Sequence, residues 1–226
     1  MGVKNLTSTI NCEKTVFVSD LHCRSGRICH QLAMIIKVSH LLQASCLVVA
    51  GDLFEDLHYR ISTYQLKFEI LKLGLPTELP PLIIYTPSFS SHDPIVDEGS
   101  INLGRSRIYI RRVAHIQLGD DEVVVTHGDI GIANGAIAHL VDRVGSLVGR
   151  KLLVEEKVKE KLNLRNQWLI MGHTHIPGLD TTRRIGNPGS WKSAWGKWLP
   201  YWRKPTYSLI FYDGKSFRLV YPLKTI

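Results

Sequence analysis

The chain has 226 residues, 44% of them hydrophobic and 21% charged, with a net charge of +8 and a pI near 9.4. That balance excludes a disordered or low-complexity chain, leaves length for a real core, and favours anionic partners such as phosphorylated metabolites, nucleic acid or an acidic membrane surface. No run approaches the ~20 apolar residues that span a bilayer, and the opening "MGVKNLTSTINCEK" lacks the apolar stretch of a secretion signal, so the expected location is cytoplasmic.

In chain order, "TVFVS" at 15–19 reads as a buried strand, apolar and β-branched. Residues 27–44 have helical spacing, with Ile28, Leu32, Ile35, Ile36 and Leu42 on one face. "CLVVAG" at 46–51 is a second strand, and a helix is expected over 57–73 through Leu57, Ile61, Tyr64, Phe68 and Leu71. "PLIIY" at 81–85 is a third strand, so strand and helix alternate and the fold class is α/β. Residues 107–126 read as two strands around "GDDE". A helical insertion follows at about 131–163, then a strand at "WLIMGH" 168–173, and last a hairpin about Asp213-Gly214. There is no internal repeat and no convincing interdomain linker, so a single domain is expected. Cys12, Cys23, Cys29 and Cys46 form no C-x-x-C pair, and Cys46 is expected to be a small buried hydrophobe.

The apolar runs share an ending. "FVSDLH" closes with Asp20 and His22, "VVAGDLFED" with Gly51 and Asp52, and "VVVTHGD" with His127, Gly128 and Asp129. "LIMGHTH" closes with Gly172, His173 and His175, and His92 and Asp93 lie just beyond "PLIIYTPSFS". In α/β sheets, ligands gather at the carboxyl ends of strands, and Asp and His together suit borderline divalent metals. In extended backbone, residues two apart point the same way, so Asp20 and His22 would approach one ion together. Each ending alone is a weak signal, but five in one chain are hard to produce by chance.

These blocks resemble the calcineurin-like metallophosphoesterase superfamily: "DLH" 20–22, "GD" 51–52, "SSHD" 90–93, "HGD" 127–129 and "GHTH" 172–175 follow the family's order. The resemblance runs over roughly residues 14–190, with "GNPGSW" 186–191 similar to the family's closing strand and turn. It implies a four-layer α-β-β-α sandwich of two mixed sheets flanked by helices. It also implies two divalent ions, manganese first and iron or zinc as alternatives. Asp20, His22, Asp52 and His175 would hold the first ion, and Asp52 would bridge to a second held also by His127 and His173. His92 would face the substrate and protonate the leaving oxygen, with Asp93 orienting its ring. Two ions about 3.5–4 Å apart clamp a phosphoryl group and make hydroxide available near neutral pH. The implied activity is hydrolysis of a phosphate monoester, diester or pyrophosphate.

The third block departs from the family. Ser90 stands where glycine is usual, and Ser91 where asparagine would give an amide oxygen to the second ion. Water would bridge the gap, or Asp93, Asp97 or Glu98 would reach in. A degenerate scaffold, like the retromer subunit of this fold, is the competing reading. Trp191, Trp195, Trp198 and Trp202 fall within "WKSAWGKWLPYWRK", interleaved with lysine and arginine. They read either as a cap packed on the domain or as a patch at an anionic membrane surface, which would fit a lipid-linked phosphate substrate. Stacking of nucleotides is a third reading, and a nucleic-acid partner is the least favoured.

Overall fold

The computed structural model describes residues 9–90, 92–192 and 205–224. The first half contains β1 (Ile10–Cys12), β2 (Thr15–Val18), α1 (His30–Leu41), β3 (Cys46–Val49), α2 (Thr63–Lys72), β4 (Leu82–Tyr85), β5 (Gly99–Leu103) and β6 (Ser106–Ile110). The second half contains β7 (Ala114–Leu118), β8 (Asp121–Thr126), α3 (Gly135–Leu147), α4 (Leu153–Lys161), β9 (Trp168–Met171), β10 (Gly178–Asp180), β11 (Ile185–Asn187), β12 (Leu209–Tyr212) and β13 (Phe217–Val220).

One sheet has the order β13-β12-β2-β3-β4-β6-β5, and the other β1-β7-β8-β9-β11-β10. In the first, β2, β3, β4 and β6 run parallel, with Val18 opposite Val49 and Val49 opposite Tyr85. Their carboxyl ends therefore finish at one edge, and the segments carrying Asp20, Asp52 and His92 leave side by side. In the second sheet β8 and β9 are parallel, with Thr126 opposite Met171, so His127 and His173 also leave together.

Phe17, Val48, Ile84 and Ile210 of the first sheet pack against Ile116, Val123, Val125 and Ile170 of the second in one apolar core. The outer face of the first sheet is covered by α1 and α2 through Leu32, Ile36, Leu66 and Ile70. The outer face of the second is covered by α3 and α4 through Ala138, Val154 and Val158 on Leu169 and Met171. This is the α-β-β-α sandwich of two mixed sheets.

Some details differ from the sequence reading. The run 107–126 is three strands rather than two, because the chain crosses from β6 in one sheet to β7 in the other. Before α2, Leu57 and Ile61 are buried in the loop, and the helix starts only where Ser62 caps it reciprocally with Gln65. Tyr64, Phe68 and Leu71 then face outward. Cys46 is buried but not free: it is disulfide-bonded to Cys12, tying β1 to β3 across the two sheets, and Cys23 is bonded to Cys29. Trp191 is fully enclosed, with its indole N–H donating to the Ser208 carbonyl at 2.8 Å. It therefore cannot lie at a membrane surface. Trp195, Trp198 and Trp202 lie outside the described residues. Among the described residues no helix is long and apolar enough to cross a membrane.

Candidate metal centre

Asp20, His22, Asp52, His127, His173 and His175 come together at the shared edge of the two sheets. Oxygen and nitrogen atoms of Asp20, His22 and His175 lie within 4.8 Å of one another, as do those of Asp20, Asp52 and His127. Asp52 Oδ2 stands 3.5 Å from His22 Nε2 and 3.6 Å from His127 Nε2. Asp20 belongs to both groups, and Asp52 stands between His22 of one and His127 of the other.

The local backbone is unlike the extended segment expected. Asp20, His22, Asp52, His92, His173 and His175 all have φ between 47° and 70°. Left-handed backbone at a non-glycine residue costs of order 1–3 kcal/mol and collects at functional sites. Asp20 and His22 converge because the chain turns at each of them, not because a strand alternates. Gly51 and Gly172 make the close approach possible. A Cβ on Gly51 would collide with the His127 ring, and one on Gly172 would stand 2.5 Å from Asp20 Oδ2.

Three of the imidazoles are each oriented through one nitrogen, leaving the other for a ligand. His22 Nδ1 lies 2.6 Å from Glu55 Oε2. His127 Nδ1 donates to the Ala50 carbonyl at 3.1 Å, and His173 Nε2 donates to the Ile132 carbonyl at 2.6 Å. His127 Nε2 and His173 Nδ1 then face each other at 3.1 Å. Such outer contacts set the tautomer and aim of metal-binding histidines. Asp20 Oδ1 pairs with His175 Nε2 at 3.0 Å, while His22 Nε2 and Asp52 Oδ1 are buried without a hydrogen bond. A buried polar atom left so is costly unless something binds it, and the donor set suits two borderline divalent cations.

Burial and the neighbouring carboxylates set these rings differently. Burial holds His22 down at about 3 and His173 down at about 4, so both rings are neutral near pH 7, as ligation requires. Burial also opposes charging of His127, but Asp52 and Asp20 outweigh it and raise this ring to about 9. Burial raises Asp52 well above the carboxylate range, whereas His175 overcomes burial at Asp20 and holds it low. The pocket thus concentrates negative potential that a proton on His127 partly neutralises.

His92 lies at the mouth, its ring edge-on to that of His22 at 4.9 Å, with Nδ1 3.0 Å from the Glu55 carbonyl. Asp93 does not orient it. Asp93 is fully buried and its oxygens accept from the backbone N–H groups of Phe54 and Ser88, both at 2.9 Å. It fastens the loop carrying His92 to the loop carrying Asp52. Ser91 lies outside the described residues. Of the alternatives to it, Asp97 pairs with Arg60 on the surface and Glu98 accepts from Arg112 N–H.

Three contributors were given no role from the sequence, although Asp129 was noted at the end of its strand. Glu55, three residues past Asp52, touches His22 and also Lys192, whose ammonium lies 3.2 Å from Oε2 although the lysine is buried. Asp129 accepts from Phe89 N–H, Ser90 N–H and Ser90 Oγ at 2.6–2.9 Å, and its other oxygen is buried without a hydrogen bond. It thereby holds the loop that leads to Ser91. Glu155 of α4 accepts from Thr174, between the two histidines, and from Asn187. An acidic residue three past a Gly-Asp, or directly after His-Gly, was a visible signal; Glu155 lay in a charged run that gave none.

No family model matches the sequence, and no curated protein matches it. Solved structures do. A novel archaeal phosphodiesterase is 15% identical, with 92% of this chain and 98% of that one covered and a TM-score of 0.45. YfcE, a phosphoesterase from E. coli, is 16% identical over 92% and 98%, with a TM-score of 0.40. Vps29 from Entamoeba histolytica, complexed with zinc, is 15% identical over 91% and 89%, with a TM-score of 0.44. The chain resembles the calcineurin-like metallophosphoesterases in its strand-end motifs, and the two sheets bring those motifs to one place.

Proposed function

We propose that this protein is a metal-dependent phosphoesterase that hydrolyses a phosphate monoester, diester or pyrophosphate. The observation that carries this reading is the convergence of Asp20 Oδ1, His22 Nε2 and Asp52 Oδ1, the last two buried without hydrogen bonds, beside the facing nitrogens of His127 and His173. Asp20, His22 and His175 would hold one divalent ion, His127 and His173 a second, and Asp52 both. Bound ions would polarise the phosphoryl oxygens and lower the pKa of an attacking water. Manganese, iron and zinc all suit these donors.

The chain's own residues supply the rest. His92 stands at the mouth with Nδ1 engaged by the Glu55 carbonyl, and its Nε2 would protonate the leaving oxygen. Lys192 brings a positive charge beside Glu55 and His22, favourable to an anionic substrate. A scaffold that had abandoned catalysis would have no reason to keep six ligand side chains together, five of them on strained backbone. The expected cytoplasmic location sits poorly with two disulfides, which persist where thiols are oxidised; the reading of the site does not depend on the compartment.

The test is hydrolysis by metal-stripped protein reloaded with manganese, zinc or ferrous iron. The panel is p-nitrophenyl phosphate, its bis ester, a cyclic nucleotide and a nucleotide-linked lipid. Metal-dependent turnover of at least one supports the proposal. A fully loaded protein inert on all four favours the binding scaffold.

A further inference from the structure

α3 is built inside out. Its packed residues are Ala138, Asp142 and Gly145, two of them small and one a carboxyl group. Its large aliphatic residues, Ile137, Leu140, Val141, Val144, Leu147 and Val148 at its end, are exposed, Leu140 by 61% and Leu147 by 82%. At about 100° per residue they occupy one sector about 120° wide. A contiguous apolar face of this kind marks an interaction site.

The charges around it are mainly positive. Over residues 130–151 the exposed charged side chains are Arg143, Arg150 and Lys151, and the only acidic one, Asp142, is buried. Asp142 accepts from Val154 N–H at 2.9 Å and so caps α4. Glu156, 3.9 Å from Arg150, and Glu160 stand on one side beside Val141, and an aliphatic stripe edged mainly by cations favours anionic headgroups above acyl chains.

The helix also stands beside the metal centre. His139 Nδ1 donates to the Thr174 carbonyl at 2.7 Å, and the Ile132 carbonyl, just before the helix, accepts from His173. We propose that α3 is a membrane-docking helix that seats its apolar stripe at the headgroup boundary of an anionic bilayer, with Arg143, Arg150 and Lys151 against the phosphates. This rests on the exposed face alone and holds whether or not the centre hydrolyses phosphoesters.

The experiment is co-sedimentation of the full chain with vesicles of phosphatidylcholine, with and without phosphatidylglycerol. A variant carrying Leu140→Ser and Leu147→Ser is compared with wild type. Wild type should bind the anionic vesicles, and the variant should bind them at least ~10-fold more weakly, since two leucines no longer leave water. Because both side chains are exposed, the melting temperature should stay within about 2 °C. Failure of wild type to bind anionic vesicles overturns the proposal. So does a variant that keeps vesicle binding but changes from dimer to monomer, which would assign the face to a second copy. A variant that keeps vesicle binding and melts lower would assign it to chain within the same molecule.

Discussion

Glu55 Oε2 lies 2.6 Å from His22 Nδ1 and 3.2 Å from Lys192 Nζ, so one carboxylate joins a candidate metal ligand to a buried lysine. The carboxylate fixes the imidazole with Nε2 toward Asp20 and Asp52, and the ammonium fixes the carboxylate. Glu55→Gln keeps the shape and removes the charge. The first ion should then bind about 10–100-fold more weakly, read by titration calorimetry, while the melting temperature moves little. Unchanged affinity would reduce Glu55 to a surface contact.

Asp129 serves the third corner of the site. With Asp129→Ala, the N–H groups of Phe89 and Ser90 lose their acceptor, and the loop approaching Ser91 and His92 is released. Stability should fall by about 1–3 kcal/mol. Turnover should fall further than occupancy of the first ion, because His92 rides on this loop and the first ion's ligands do not. Equal losses of turnover and of that ion would mean that Asp129 supports the whole centre.

Glu155 gives a pH dependence. Burial, and then the neighbouring Asp142 carboxyl, raise its pKa well above the usual range. A raised folded pKa means that the folded state holds a proton the unfolded chain releases above about 4.5. Its contribution is complete below that pH and is lost as pH climbs toward the folded value. Glu155→Gln keeps an acceptor for Thr174 and Asn187 and cannot ionise. The variant should therefore melt higher than wild type near pH 8, by about 2–4 °C for each kcal/mol recovered, and at nearly the wild-type temperature near pH 5. A constant difference across that range would show that ionisation of Glu155 is not involved.

Trp191 belongs to the core. Trp191→Ala removes an enclosed indole and strands the Ser208 carbonyl. It should cost roughly 3–5 kcal/mol, seen as a large fall in the denaturant midpoint. A midpoint close to wild type would return this residue to the surface.

Strand endings made the site legible from sequence. Parallel strands with apolar interiors must finish at one edge, so "DLH", "GD", "HGD" and "GHTH" met where expected. What the residues did not disclose was tertiary. The left-handed turns at Asp20 and His22 exist because neighbouring loops hold them there. Asp93 reads as a partner for its neighbour His92, yet its oxygens are taken by the distant Phe54 and the nearby Ser88. Leu57 and Ile61 have helical spacing but pack from a loop. Cys12 and Cys46 are 34 residues apart and pair only because β1 crosses to the other sheet.

The central claim is that Asp52 joins two ions in one centre. Its most direct test is calorimetric titration of manganese into metal-stripped wild type and Asp52→Ala, with bound metal counted by elemental analysis. Wild type should take up two ions per chain, and Asp52→Ala should weaken both while the apolar strand β3 keeps the protein folded. A wild type that binds one ion or none, or an Asp52→Ala variant that binds two as tightly as wild type, would contradict the account.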